Sequence, residues 1–493
     1  MGPLVLQYCR LPVLDSAARF GEGSGKQGIR LMTATQIDAV LASVDAGLEQ
    51  SLERLYALLR IKSISTDPAY AQECRKAADW IVDELKGLGF DAAARSTPGH
   101  PVVVAHGPDQ DGAHVLFYAH YDVQPVDPLE LWHTDPFAPE LKTDANGRKI
   151  IVARGASDDK GQMMTFIEAC RAWKTVTGGL PVEVTILLEG EEESGSRSLG
   201  PFLDAHADEL ACDLALVCDT GMWNAETPAI TTRLRGLVHD EVVVTGPSMD
   251  LHSGMFGGPA HNPIHILARI VAALHDANGV VTLPGFYDGV PELHPEQRRE
   301  WDALGLDEAQ WLARIGQASA AGEKGRTILE KIWARPTCDV NGIIGGYTGE
   351  GTKTVIPSRA TAKVSFRLIG EQDPMAIRDA FRKFVRDHLP EGCGAEFFSH
   401  GASPAIEIPA DSPPLAKARK ALEEEFGRPP VHLGCGGSIP IVESFKRVLG
   451  MDSLLIGFGL DDDRIHSPNE KYELSSFRHG TRSWARILAA LAE

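Results

Sequence analysis

No apolar run in this chain approaches the ~18 residues that a helix needs to cross a bilayer, which excludes a helical membrane span. Positive charge is in deficit. Against 68 Asp and Glu stand 48 Lys and Arg, a formal charge of −20, and no compact Lys/Arg cluster offsets it locally. A phosphate backbone would be repelled, so nucleic acid is excluded as a partner. Cysteine is sparse for the length: there are eight, with no CxxC pair and no dense spacing, which reads as the reduced thiols of a cytoplasmic protein. Cys170, Cys212 and Cys218 fall in apolar runs and read as core. The first 31 residues lack a basic leader, a sustained apolar stretch and a small-residue cleavage site. Helical patterning begins only after Met32, so residues 1–31 read as a disordered extension or as a start codon assigned too early. Internal repeats and low-complexity segments are also missing.

A chain of 493 residues exceeds what one hydrophobic core usually supports, so two domains are expected. Short, almost wholly apolar runs recur: PVVVAH, HVLFYAH, VEVTILLEG, DLALVCD, PVHLG and SLLIGFG. Such runs suit strands covered on both faces. Helical patterns lie between them, as in KGQMMTFIEACRAWKTV, so the fold class is α/β with a largely parallel sheet flanked by helices. Residues 235–402 have another rhythm, β-α-β-β-α-β, the order of a ferredoxin-like α+β unit, interrupted by a polar helical insertion at about 280–335. The division that follows is a catalytic domain built from 32–234 and 403–493, into which a lid domain, 235–402, is inserted.

Five places where a strand-like run ends carry side chains able to bind a metal: His120 with Asp122, Asp158 with Asp159, Glu192 with Glu193, Asp219, and His466. In an α/β sheet such ends gather at the carboxyl edge, where ligands bind. Each has a plain structural alternative when taken singly: a core histidine, a helix N-cap before KGQMMTF, a solvated acidic turn. Five together make that account poor. Two imidazoles and three carboxylates without thiolate suit two divalent ions, zinc first, manganese or cobalt also. Four positive charges against three carboxylates, Asp158, Glu193 and Asp219, would favour a bridging hydroxide as nucleophile. Asp122, two residues beyond His120, is placed to orient that imidazole.

The motifs HYDVQP, GASDDKG, LEGEEESGS, DLHSG, KTVIP, SFRL and GGSIP, with Asp219 and the late His466, resemble the metallopeptidase family of carnosinase, cytosolic non-specific dipeptidase, carboxypeptidase G and aminoacylase-1. The resemblance runs from about residue 45 to the end. It implies that Asp158 bridges the ions, with His120 and Asp219 on one and Glu193 and His466 on the other. It implies Glu192 as general base and a cis Asp158–Asp159 peptide. It also implies a homodimer in which His252 reaches into the partner's site to stabilise the oxyanion, so that the lid doubles as the dimerisation domain. Arg367, Ser438 and Thr354 match positions that hold the substrate. By composition alone His252 is a turn histidine and Arg367 a surface charge. Within the family, HYDVQP, DLHSG, GGSIP and the insertion resemble the dipeptidase branch, so hydrolysis of dipeptides is expected; an N-acyl amino acid deacylase is the alternative, and an inactive metal-binding homologue a remote one.

Overall fold

A strand with no polar alternation is stable only where both of its faces are covered. The computed structural model describes residues 34–110, 112–409, 411–437 and 439–493 and bears this out; the extension read at 1–31 and Ser438 lie outside the described residues. In chain order the strands are β1 (Asp91–Arg95), β2 (Val102–His106), β3 (His114–His120), β4 (Glu140–Thr143), β5 (Lys149–Val152), β6 (Glu183–Glu189), β7 (Leu214–Val217), β8 (Ala229–Leu234) and β9 (Gly236–Thr245). There follow β10 (Leu251–His252), β11 (Thr337–Gly345), β12 (Val355–Ile356), β13 (Arg359–Leu368), β14 (Gly394–Ser403), β15 (Ile406–Glu407), β16 (Val431–Cys435), β17 (Asp452–Leu455) and β18 (Lys471–Glu473).

The large sheet has the order β1-β2-β6-β3-β7-β17-β8-β15, with β16 beside β8. Its four central strands, β6, β3, β7 and β17, run parallel, while β2 and β8 flank them antiparallel. Six of the seven residues of β3 are buried. The helix Lys160–Thr177 covers one face; Phe166 stacks on Phe117 at 3.8 Å between ring centroids, and Trp484 from the C-terminal helix meets both rings edge-on. Aromatic pairs in these arrangements stabilise beyond the area they bury.

The ferredoxin-like order is realised as an antiparallel sheet, β11-β13-β9-β14, with the helices Pro263–Ala273 and Pro374–Asp387 on one face. Along β9 burial alternates at every residue, the mark of a sheet whose second face is more open. This sheet has its own core, including Val242, Val364, Phe366, Ile270 and Phe381, separate from that of the large sheet. The insertion folds into short helices, Pro295–Ala303, Glu308–Arg314 and Ile328–Trp333. Its first residues stay in the lid core through Leu283 and Phe286, but its helices pack on the edge of the large sheet: Trp301 Nε1 donates to the His432 carbonyl at 2.8 Å, and Trp333, Ala229 and Leu433 share one apolar cluster with Trp301. Helices this short cannot bury themselves, so they borrow the edge of β16. Between the sheets the chain crosses at Arg235 and returns at Pro404 and Ala405. The crossings touch: a Cβ on Gly236 would come within 2.6 Å of the Ser403 oxygen and the Ala405 nitrogen, so that position is closed to any larger residue.

Candidate metal centre

Register brings the site together. β3 and β6 pair from His114 opposite Glu183 to His120 opposite Glu189, so Glu192 and Glu193 emerge just past the level of His120. Tyr118 pairs with Val217 on β7, which places Asp219, two residues on, beside His120. His120 is fully buried, and its Nδ1 lies 3.1 Å from the Asp122 carbonyl oxygen and 3.5 Å from the Asp122 carboxylate. With Nδ1–H held there, Nε2 is left as the free ligand atom. Asp122 does a second job that the sequence did not announce. Its two carboxylate oxygens accept the backbone N–H groups of Glu192 at 3.2 Å and Glu193 at 3.0 Å, so one buried side chain sets both the imidazole and the glutamate turn.

Asp158 does not come from the large sheet. The run KIIV forms β5 of a separate three-stranded sheet, β18-β5-β4, and the loop after it carries the aspartate across to the carboxyl edge. A residue absent from the sequence expectations holds that loop: Glu470, fully buried, accepts from Arg154 Nη1 at 2.8 Å and from the backbone N–H groups of Gly155, Ser157 and Asp158 at 2.9, 2.9 and 3.0 Å. Asp463 repeats the device, accepting from the Ser157 hydroxyl at 2.8 Å. Both acids flank His466, so the segment that presents this histidine also clamps Asp158. Proximity to His466 was the only sequence signal for them. The Asp158–Asp159 peptide is cis, as the resemblance implies, and His466 sits at φ 61°, in the left-handed region that non-glycine residues rarely adopt.

Ligand-competent atoms of His120, Asp158 and Asp219 lie within 4.8 Å of one another, and so do those of Asp158, Glu193 and His466. His120 Nε2 is 3.2 Å from Asp158 Oδ1; His466 Nε2 is 2.9 Å from Asp158 Oδ2 and 3.2 Å from Glu193 Oε2. So much anionic charge in so small a space shifts Asp158, Asp219, Glu192 and His466. Burial works to raise the Asp158 carboxyl, but hydrogen bonds from His120 and His466 prevail and hold it well below the usual range. Asp219 is pushed well up by burial, with Asp158 adding to the rise. Burial likewise raises Glu192, opposed by His120. Asp158 and Glu193 lift His466 to about 10. Glu193 Oε1 is buried with no hydrogen-bond partner, while Oε2 accepts from Gln124 at 2.7 Å. Orphaned carboxylate oxygen, convergent imidazoles and a surplus of negative charge are what divalent cations satisfy, and the donor set fits two of them.

The lid residues stand apart from this cluster. His252 ends β10, is exposed, and its Nδ1 accepts from the Gly254 N–H at 3.0 Å. β10 pairs with β12, His252 opposite Val355, and the Ser253 N–H donates to the Thr354 carbonyl at 3.1 Å, which makes neighbours of His252 and Thr354. Neither side chain hydrogen-bonds a cage residue of its own protomer. Arg367 lies half-buried on β13 at the base of the lid, near Arg235 and the Gly-rich segment 434–437.

Comparison with known proteins agrees with this geometry. The family described as "Peptidase family M20/M25/M40" matches residues 116–490. The Cys-Gly metallodipeptidase of Schizosaccharomyces pombe is 31% identical over 477 residues, covering 92% of this chain and 98% of its own. The human Beta-Ala-His dipeptidase is 29% identical, covering 93% of each. Among solved structures, the di-peptidase of Saccharomyces cerevisiae superposes with a TM-score of 0.77 at 28% identity, over 93% of this chain and 99% of that one. Among the described residues no helix is long and apolar enough to cross a membrane. With the family match spanning most of the sequence and relatives aligned nearly end to end, the chain belongs to peptidase family M20/M25/M40.

Proposed function

We propose that this enzyme is a cytoplasmic, homodimeric dipeptidase that hydrolyses the amide bond of dipeptides with two divalent ions per subunit, zinc by preference. The observation that carries the proposal is that Asp158 belongs to both ligand groups, so one carboxylate can join two ions. His120 and Asp219 would complete one coordination shell, Glu193 and His466 the other. Ions held there would polarise the scissile carbonyl and lower the pKa of bound water towards neutrality. The protein's own groups do the rest. Glu192, kept off the ligand set and raised by burial, takes the proton of the attacking water and delivers it to the amine nitrogen as the C–N bond breaks. Asp122 keeps His120 and the glutamate turn in register. Arg367 and Ser438 receive the substrate's carboxylate end, and Thr354 makes a further substrate contact. His252 of the partner subunit stabilises the oxyanion. Residues 235–402 act as the lid and dimerisation unit, and residues 32–234 with 403–493 form the catalytic domain. The relatives named for Cys-Gly and β-Ala-His dipeptides place dipeptides ahead of N-acyl amino acids as substrates. Free cysteines throughout the described residues favour a reducing compartment.

The test is to strip the protein with a chelator and refill it ion by ion while assaying Cys-Gly, β-Ala-His and N-acetyl amino acids. Activity should vanish on stripping and return with about two equivalents of zinc per subunit, dipeptides being cleaved in preference. Faster cleavage of N-acetyl amino acids would make it a deacylase. Glu470→Gln should lower metal affinity by about 10- to 100-fold, as loss of a residue behind the ligands typically does, measured by competition against a chromophoric chelator. Unchanged affinity would mean that the Asp158 loop holds its shape without that carboxylate.

A further inference from the structure

In a chain with 68 acidic residues against 48 Lys and Arg, an arginine withdrawn from water has no shortage of partners. Among the described residues, every arginine that is buried or half-buried has an acidic side chain within 4.0 Å, except Arg235 and Arg367. These two are neighbours. Arg235 is the crossing residue between β8 and β9, and Arg367 lies on β13 next to Leu368, which pairs with Gly236. Burial, then the charge of Arg367, lowers Arg235 to about 10. Like charges drawn together out of water are unfavourable unless something anionic completes the site.

Their donors are also underused. A guanidinium offers five N–H groups in a planar fork. Arg235 spends Nε on the Gly436 carbonyl at 2.9 Å, and its Nη1 reaches the Lys331 carbonyl only at 3.5 Å. Nη2 has no acceptor among the described residues and is not sealed from solvent. The Arg367 side chain makes no hydrogen bond among the described residues. Cys435, half-buried at the end of β16, lies close enough to Asp219, Arg235 and Arg367 to sense the charge of each, which puts the pair near the metal centre. The forks therefore flank the Gly-rich segment at the margin of the cage.

We propose that Arg235 and Arg367 form a two-guanidinium subsite that makes the enzyme selective for dipeptides whose carboxy-terminal residue carries a second carboxylate, Xaa-Glu and Xaa-Asp. The inference rests on the dipeptidase reading and on Arg367 at the terminal carboxylate. One carboxylate fills one fork bidentately; a second fills the fork of Arg235, where a neutral side chain leaves it unpaired against Arg367. The gain expected from one desolvated, charge-assisted pair is about tenfold or more.

Steady-state kinetics on the zinc-loaded full chain with Ala-Glu and Ala-Gln, near-isosteres differing in charge, test it. The Ala-Glu to Ala-Gln ratio of kcat/KM should be at least about 10 in the wild type, arise in KM, and fall to near 1 in Arg235→Gln. A ratio has the merit of being insensitive to a variant that is merely less active, and Arg235→Lys, which keeps the cation, should retain part of it if the glutamine variant fails to fold. If both dipeptides are hydrolysed without preference, or the preference survives in the glutamine variant, the subsite is wrong while the dipeptidase reading stands. Should neither be hydrolysed under any metal, the dipeptidase reading fails, and calorimetry with free glutamate and glutamine decides the subsite alone. Glutamate binding no tighter than glutamine, or equally preferred in Arg235→Gln, overturns it.

Discussion

Glu192→Gln is expected to cut kcat by about 10²-fold or more while the zinc content stays near that of the wild type; Glu193→Gln is expected to lose metal instead. The two side chains are adjacent, and both backbone N–H groups are gripped by Asp122, yet their surroundings differ. Glu193 Oε2 lies 3.2 Å from His466 Nε2 and its other oxygen is buried without a partner, the circumstances of a ligand. The Glu192 side chain accepts no hydrogen bond among the described residues, and burial raises its pKa, which leaves a carboxylate basic enough to take a proton from water. A 10²-fold loss corresponds to about 2.7 kcal/mol of barrier, a scale that general catalysis reaches and a distant packing change rarely does. Elemental analysis beside steady-state kinetics reads both outcomes; the reverse pattern, metal lost from the Glu192 variant and kept by the Glu193 variant, would exchange the two roles.

His252→Ala should lower kcat by about 10² to 10³ without emptying the cage, because the charge it is proposed to meet exists only in the transition state. His252 is exposed and its side chain bonds only the nearby Gly254 N–H among the described residues, so folding should survive. The lid also has the surface of an interface: β11 is an edge strand, and Ile343 and Ile344 on it are 55% and 63% exposed, an arrangement that invites pairing with a second copy. Mixing His252→Ala with Glu192→Gln separates a shared site from a self-contained one. In a heterodimer one site inherits both defects and the other neither, so random assortment should restore about a quarter of the sites. If mass spectrometry showed complete subunit exchange and activity stayed at the level of the separate variants, His252 would have to act within its own protomer or not at all.

The strands and their class were legible because burial on both faces leaves a local mark: PVVVAH, HVLFYAH and DLALVCD have no polar alternation, and runs so short, the first two also rich in β-branched and aromatic residues, favour strand over buried helix. The residue types at the strand ends were legible for a related reason, since an imidazole or carboxylate just after such a run has few structural uses. Which glutamate does what, the bridging role of Asp158 and the lid histidine came from resemblance, not from spacing. Tertiary structure alone decided the remainder. Asp158 arrives from a separate small sheet; Glu470 and Asp463 clamp its loop from more than 300 residues away; Asp122 serves the glutamate turn as well as His120; the insertion begins in the lid core and ends with its helices on β16; and Arg235 meets Arg367 where the chain crosses between sheets. The physical reason is common to all of these. Periodicity reports a residue's exposure, a property of its neighbours along the chain, whereas a hydrogen bond to a distant loop or a shortage of counter-charge depends on register and loop path, which leave no trace in local composition.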